Sequence, residues 1–78
     1  MKDLKDYLQR LKDDAKDENF VARTTANARL ASSIAVIEFI INDLQKRIDI
    51  WEGEVEAKHV LRSLLNDLTK IKIIAQGE

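Results

Sequence analysis

Apolar residues recur at helical spacing through most of the chain and predict three helices. In the first, over about residues 2–16, an apolar position returns every three or four residues and the other positions are mostly charged. If the same spacing is continued beyond this stripe, it reaches Glu18 and misses Phe20. The boundary between the first and second helices therefore falls near Asp17–Asn19. Asn19, Thr24 or Thr25 is then the predicted N-cap of the next helix. The stripe consists of Leu4, Leu8, Leu11 and Ala15, with Tyr7 beside it.

The second predicted helix, about residues 20–51, carries apolar residues at alternating spacings of four and three, which is a heptad pattern. Further apolar residues lie outside this seam: Ala35, Phe39 and Ile50 on the opposite side, Val36 and Ile40 on a flank. Two neighbouring helices of one chain would leave part of this surface in water, so the pattern predicts dimerisation through the second helix. The seam is Leu30, Ile34, Ile37, Ile41, Leu44, Ile48 and Trp51.

A third helix is predicted over about residues 54–75, with Gly53 as the C′ glycine that ends the second helix. Because only this short break separates the two long helices, they should form an antiparallel hairpin. The predicted fold is therefore an all-α three-helix bundle, in which residues 1–78 form a single domain made of the hairpin and an N-terminal amphipathic helix. The third seam is Ala57, Leu61, Leu64, Leu68, Ile71 and Ala75, widened by Val60 and Leu65.

Length and charge narrow the functional classes. Burial of apolar side chains in a chain of 78 residues scarcely offsets the entropy of ordering it, which again favours association. Thirteen basic and fourteen acidic residues are mixed along the chain and give a net charge of −1, so no nucleic-acid partner is expected. No apolar run approaches the roughly 20 residues needed to cross a bilayer. We therefore expect a soluble, cytoplasmic protein without a membrane partner.

Few residues suggest chemistry. Without cysteine there is no thiol catalysis or zinc–thiolate site, and the single histidine stands in a Glu-x-x-His pair, Glu56 and His59. That spacing occurs in dimetal helical bundles, but here both residues project away from the third seam. Acidic residues near the hairpin turn suit a helix start as well as a Mg²⁺ site. Ser32, Ser33 and Ser63 lack a glycine-rich elbow. We expect no enzyme, no metal and no cofactor.

The predicted function is a small non-enzymatic protein-binding module, such as an adaptor, assembly factor or inhibitor, of a kind that phages also encode. It would act as a homodimer and bind another protein. If the seam of the second helix is continued from Leu30 toward the start of that helix, it meets three polar residues. Polar groups in such a position either fix the register of two paired helices or face solvent. The alternatives are a secreted structural hairpin, described below, and, after it, a dimeric Glu-x-x-His metal-binding bundle. The candidate partner-binding residues are Arg23, Asn27, Arg29, Val36, Phe39, Ile40 and Ile50.

Trp51-Glu52-Gly53, between the two long helices, resembles the Trp-x-Gly turn of the WXG family of small secreted helical hairpins. The resemblance covers about residues 20–75. It implies a helical hairpin that pairs as a dimer and leaves the cell through a type VII secretion system. The chain departs from the family in its extra N-terminal helix and in lacking a Tyr-x-x-x-Asp/Glu export signal near the C-terminus. Helix capping and core packing also account for the tripeptide.

Overall fold

The computed structural model describes residues 2–77, and within them the chain forms three α-helices and no strand. They are α1 (Lys2–Asp14), α2 (Phe20–Asp49) and α3 (Val55–Gln76). The described part measures 51 × 19 × 17 Å, so the helices lie side by side along one long axis. The predicted all-α three-helix bundle, built from a long hairpin and an amphipathic N-terminal helix, is confirmed.

The turn between α1 and α2 is short and tightly hydrogen-bonded. The backbone N–H groups of Lys16 and Asp17 donate to carbonyls three residues back, which tightens the chain after Asp14 and ends α1 before the predicted residue 16. Asn19, one of the three N-cap candidates, is the N-cap of α2, and its side-chain oxygen accepts a hydrogen bond of 3.0 Å from the N–H of Ala22.

All three helices contribute to the main core. Leu8 of α1, Ile37 of α2 and Ile71 of α3 form one buried cluster together with Leu11 and Ala75. Since their side chains alternate at three- and four-residue spacings, each helix presents one apolar stripe to the other two. The predicted seam of α2 is confirmed as the inner side of the helix: Ile37, Leu44 and Ile48 are buried, while Leu30, Ile34, Ile41 and Trp51 are partly buried.

The first helix lies against only one end of the hairpin. At about 1.5 Å per residue, α1 is about 20 Å long and α2 about 45 Å. The contacts of α1 place it beside the first part of α2 and the last part of α3, where Lys12 Nζ donates to the carbonyl of Ile74 at 2.8 Å. Beyond Leu4 the other end of the molecule is a two-helix hairpin.

The hairpin turn differs from the sequence prediction in one respect. The helix α2 ends at Asp49 with Ile50 as its C-cap, and no glycine in residues 2–77 has a positive φ, so Gly53 as a C′ glycine was wrong. Its role is steric: a Cβ at Gly53 would lie 2.8 Å from the Trp51 ring. The Trp51 Nε1–H donates to the carbonyl of Glu54 at 2.9 Å, which fixes the ring across the turn.

Candidate functional site

The side of α2 that faces away from α1 and α3 carries no charged residue over most of its length. At about 100° per residue, the positions within about 60° of the direction opposite Ile37 are uncharged from Val21 to Asn42. All of them are exposed, and the surface is about 32 Å long. We call this surface the α2 outer face; it consists of Val21, Thr24, Thr25, Ala28, Ala31, Ser32, Ala35, Phe39 and Asn42.

The α2 outer face contrasts with the rest of the surface. The exposed surface of α3 carries Glu56, Arg62 and Lys70, and the outward side of α2 becomes charged as soon as the α2 outer face ends, at Asp43 and Lys46. A helix that faces only water normally carries charged residues on its outer side, and 35% of this chain is charged. An uninterrupted uncharged face is instead typical of a surface that packs against protein.

The α2 outer face has regularly spaced residues along its middle, with small side chains at the centre. The residues along the middle of this face follow one another at alternating intervals of four and three residues. This is the interval pattern of a seam that packs against another helix. The central members are small, and Phe39, 74% exposed, is the largest. Small residues allow two helix axes to approach to about 8 Å. The middle row is Val21, Thr25, Ala28, Ser32, Ala35 and Phe39.

A second candidate surface lies beside the start of α1, and this one is apolar. A shallow cavity of about 320 Å³ is lined by Leu4 of α1, Leu68 of α3 and several residues of α2, including Val36 and Ile40. Its lining is almost entirely apolar because the only polar side chains there are Ser32 and Ser33. The cavity therefore marks the point at which the groove between α2 and α3, filled by α1 further along, becomes open.

The groove continues from this cavity toward the hairpin turn, on the side of α3 that faces α1 in the other half of the molecule. Leu64 and Val60 extend its α3 wall and are 38% and 68% exposed. On the α2 wall Arg47 Nε donates to Asp43 Oδ2 at 2.7 Å, and this hydrogen bond, with the charge of Asp43, raises the pKa of Arg47. We call the surface formed by Val36, Ile40, Leu64 and Val60 the open groove.

The structure separates the four apolar residues that the sequence grouped as partner-binding candidates. Phe39 lies on the α2 outer face, and Val36 lines the open groove on its edge nearest that face. Ile40 lines the open groove beside Leu4. Ile50 is the C-cap at the hairpin turn and is 77% exposed, but charged residues separate it from the α2 outer face. These four residues therefore belong to two surfaces and to the hairpin turn.

The three polar candidates do not share one side of α2, because Arg23 and Asn27 are one helical turn apart and Arg29 lies on the other flank. Arg23 is partly buried; its guanidinium lies 5.6 Å from the centre of the Phe20 ring and donates to the carbonyl of Asp17 at 3.4 Å. That arrangement is a local contact at the start of α2. Asn27 and Arg29 are exposed on opposite flanks of the helix, and the inner side continues through Ala26, which is buried.

The residues that the sequence suggested as possible metal ligands lie at the surface. Glu56 and His59 are both exposed near the start of α3. Within residues 2–77, no three residues of the His, Cys, Asp and Glu types come together in a way that would hold a metal ion. The acidic residues of the hairpin turn, Glu52 and Glu54, are likewise exposed.

Comparison with protein-family models, curated proteins and solved structures finds no match to this chain. In the part of the chain described, no helix is long and apolar enough to cross a membrane. Several residues of the two surfaces were not among the partner-binding candidates from the sequence. They include Thr25, Ala28, Ser32, Val60 and Leu64.

Proposed function

We propose that the protein is a cytoplasmic, non-enzymatic binding module that forms a homodimer through the α2 outer face and holds another protein, as an adaptor, assembly factor or inhibitor does. The observation that carries this proposal is the absence of charge from Val21 to Asn42 on an exposed helix face. Such a face is stabilised when protein covers it, because apolar burial contributes about 25 cal/mol per Å².

The size of the chain supports a second copy as the covering surface. The three-helix part of the core is confined to one end, and the hairpin end holds only two buried residues of α2, Leu44 and Ile48. A core this small gives a marginal monomer, and association is a common remedy in short chains. Two copies joined through α2 would cover the uncharged outer side along most of the helix.

Light scattering coupled to size-exclusion chromatography tests the homodimer. At concentrations of tens of micromolar we expect a mass twice the chain mass of 9.0 kDa. Dilution should shift the mass toward the monomer, and the midpoint gives the dissociation constant. A mass of one chain throughout this range would refute the homodimer.

The open groove is the surface that we assign to the other protein. Its occupant would be an amphipathic helix lying end to end with α1, because the groove is continuous with the one that α1 already fills through Leu8 and Leu11. The occupant would place apolar side chains against Ile40, Leu64 and Val60 and a polar flank beside the Arg47–Asp43 ion pair.

Site-specific photo-crosslinking in cells that naturally make the protein tests this assignment. A benzophenone amino acid at Val60 should link one protein reproducibly, and Leu64→Asp should reduce the yield at least about tenfold, since a carboxylate in an apolar contact costs more than about 1.4 kcal/mol. The same probe at Asn66, on the outward side of α3, is the matched control. Equal labelling from both positions, or labelling insensitive to Leu64→Asp, would contradict the assignment.

A further inference from the structure

We infer that the two copies pair their α2 helices antiparallel, with the twofold axis beside residue 30, so that Val21 of one copy lies opposite Phe39 of the other. In this register Thr25 lies opposite Ala35, and Ala28 lies opposite Ser32. The inference rests on the homodimer proposed above and adds its orientation and register.

The middle row of the α2 outer face has a symmetric spacing. Its spacings are four, three, four, three and four, which read identically in both directions. This spacing is compatible with an antiparallel twofold pair, in which each residue of the first half of the row lies opposite a residue of the second half of the reversed partner. The pairing also places the small residues Ala28, Ser32 and Ala35 at the centre, where the two axes come closest.

The position along α2 at which charged residues begin also supports this register. In this register residue 40 lies opposite Phe20, the first residue of the partner's α2, so everything after it extends past the end of that helix. Asp43, Lys46 and Asp49, which follow on the same side of α2, therefore remain in water. The uncharged surface ends at Asn42, two residues past the length of α2 that an antiparallel pair covers.

A parallel pair in register does not account for that boundary. It would run the full length of α2 and place Asp43 against the partner's Asp43 and Lys46 against the partner's Lys46. Like charges in contact are destabilising. The dipoles of two parallel helices would also be aligned side by side, whereas antiparallel dipoles attract.

Cysteine crosslinking determines the register, and the natural chain contains no cysteine to interfere. Thr25→Cys and Ala35→Cys are made separately, one with an affinity tag, and oxidised alone or mixed. We expect the mixture to give the crosslinked heterodimer at least about tenfold faster than either variant links to itself. In the proposed register identical positions 25 lie about 15 Å apart along the axis, well beyond the roughly 7 Å limit between disulfide Cα atoms. Asn66→Cys, on α3, measures the rate of random collision.

The outcomes separate the register from the homodimer. Fast self-linking of both Thr25→Cys and Ala35→Cys would show a parallel pair, and fast self-linking of one alone would show an antiparallel pair in another register; either overturns the inference while leaving the homodimer intact. A mixture that links no faster than Asn66→Cys, from a protein that light scattering shows to be dimeric, would overturn the register alone. A monomeric mass would overturn both.

Discussion

Replacing Ala35 by glutamate is expected to convert the dimer into a folded monomer. Ala35 is exposed in the middle of the α2 outer face and would lie in the dimer interface. A carboxylate buried there without a partner costs several kcal/mol, and the twofold symmetry introduces two of them. We expect the dimer dissociation constant to rise at least about a hundredfold, equivalent to about 3 kcal/mol. Light scattering over a dilution series measures the change.

Two further variants make the Ala35→Glu result specific. Glutamate is a good helix former, so circular dichroism should show unchanged helix content. Asn66→Glu adds the same charge on the outward side of α3 and should leave the dimer intact, whereas Ala28→Glu, also on the α2 outer face, should dissociate it. If Ala35→Glu and Ala28→Glu dimerise as tightly as the natural chain, the α2 outer face is not the interface.

The helices and their inner sides were predictable because periodicity alone determines them. A seam repeating every three or four residues has only one way to face a core, so Ile37, Leu44 and Ile48 were predicted as core residues and are buried. Asn19 was predictable as an N-cap because its side chain can accept a backbone N–H of the first turn.

The hairpin turn was not predictable in its details. Glycine after a helix usually indicates a positive φ, but Gly53 is required by the ring of Trp51, a contact made by side-chain packing rather than by local backbone preference. Similarly, the inner side of α2 near its start runs through Ala26 instead of the Asn27 position. A small residue carries little hydrophobic signal, so the phase of the pattern was ambiguous there.

The candidate surfaces were predictable only in part. Phe39 stood out as a large apolar residue opposite the seam, but Ala28 and Ser32 are unremarkable as single residues. Their signal is collective, since the positions that share their side of the helix lack charge from Val21 to Asn42. The open groove depends on where α1 stops along the hairpin, which is a tertiary property, so Leu64 and Val60 were classed with the α3 seam.

The largest loss of stability is expected from Ile37→Ala. Ile37 is 4% exposed and belongs to the one cluster that joins all three helices, where it packs with Leu8 of α1 and Ile71 of α3. Removing its side chain leaves a cavity that these neighbours fill only partly, at a cost of about 2–5 kcal/mol. For a chain of this length such a loss lowers the midpoint of thermal unfolding by roughly 10–30 °C, measured by circular dichroism at a fixed protein concentration.

Ile73→Ala is the matched control, because the chemical change is identical but Ile73 is 63% exposed on the outward side of α3. It should change the free energy of unfolding by no more than about 0.5 kcal/mol, as exposed substitutions generally do. Because alanine has the higher helix propensity in both variants, that contribution affects the pair alike and the difference between them measures burial. Equal midpoints for the two variants would mean that Ile37 is not in the core, and the packing of α1 across the hairpin would then be wrong.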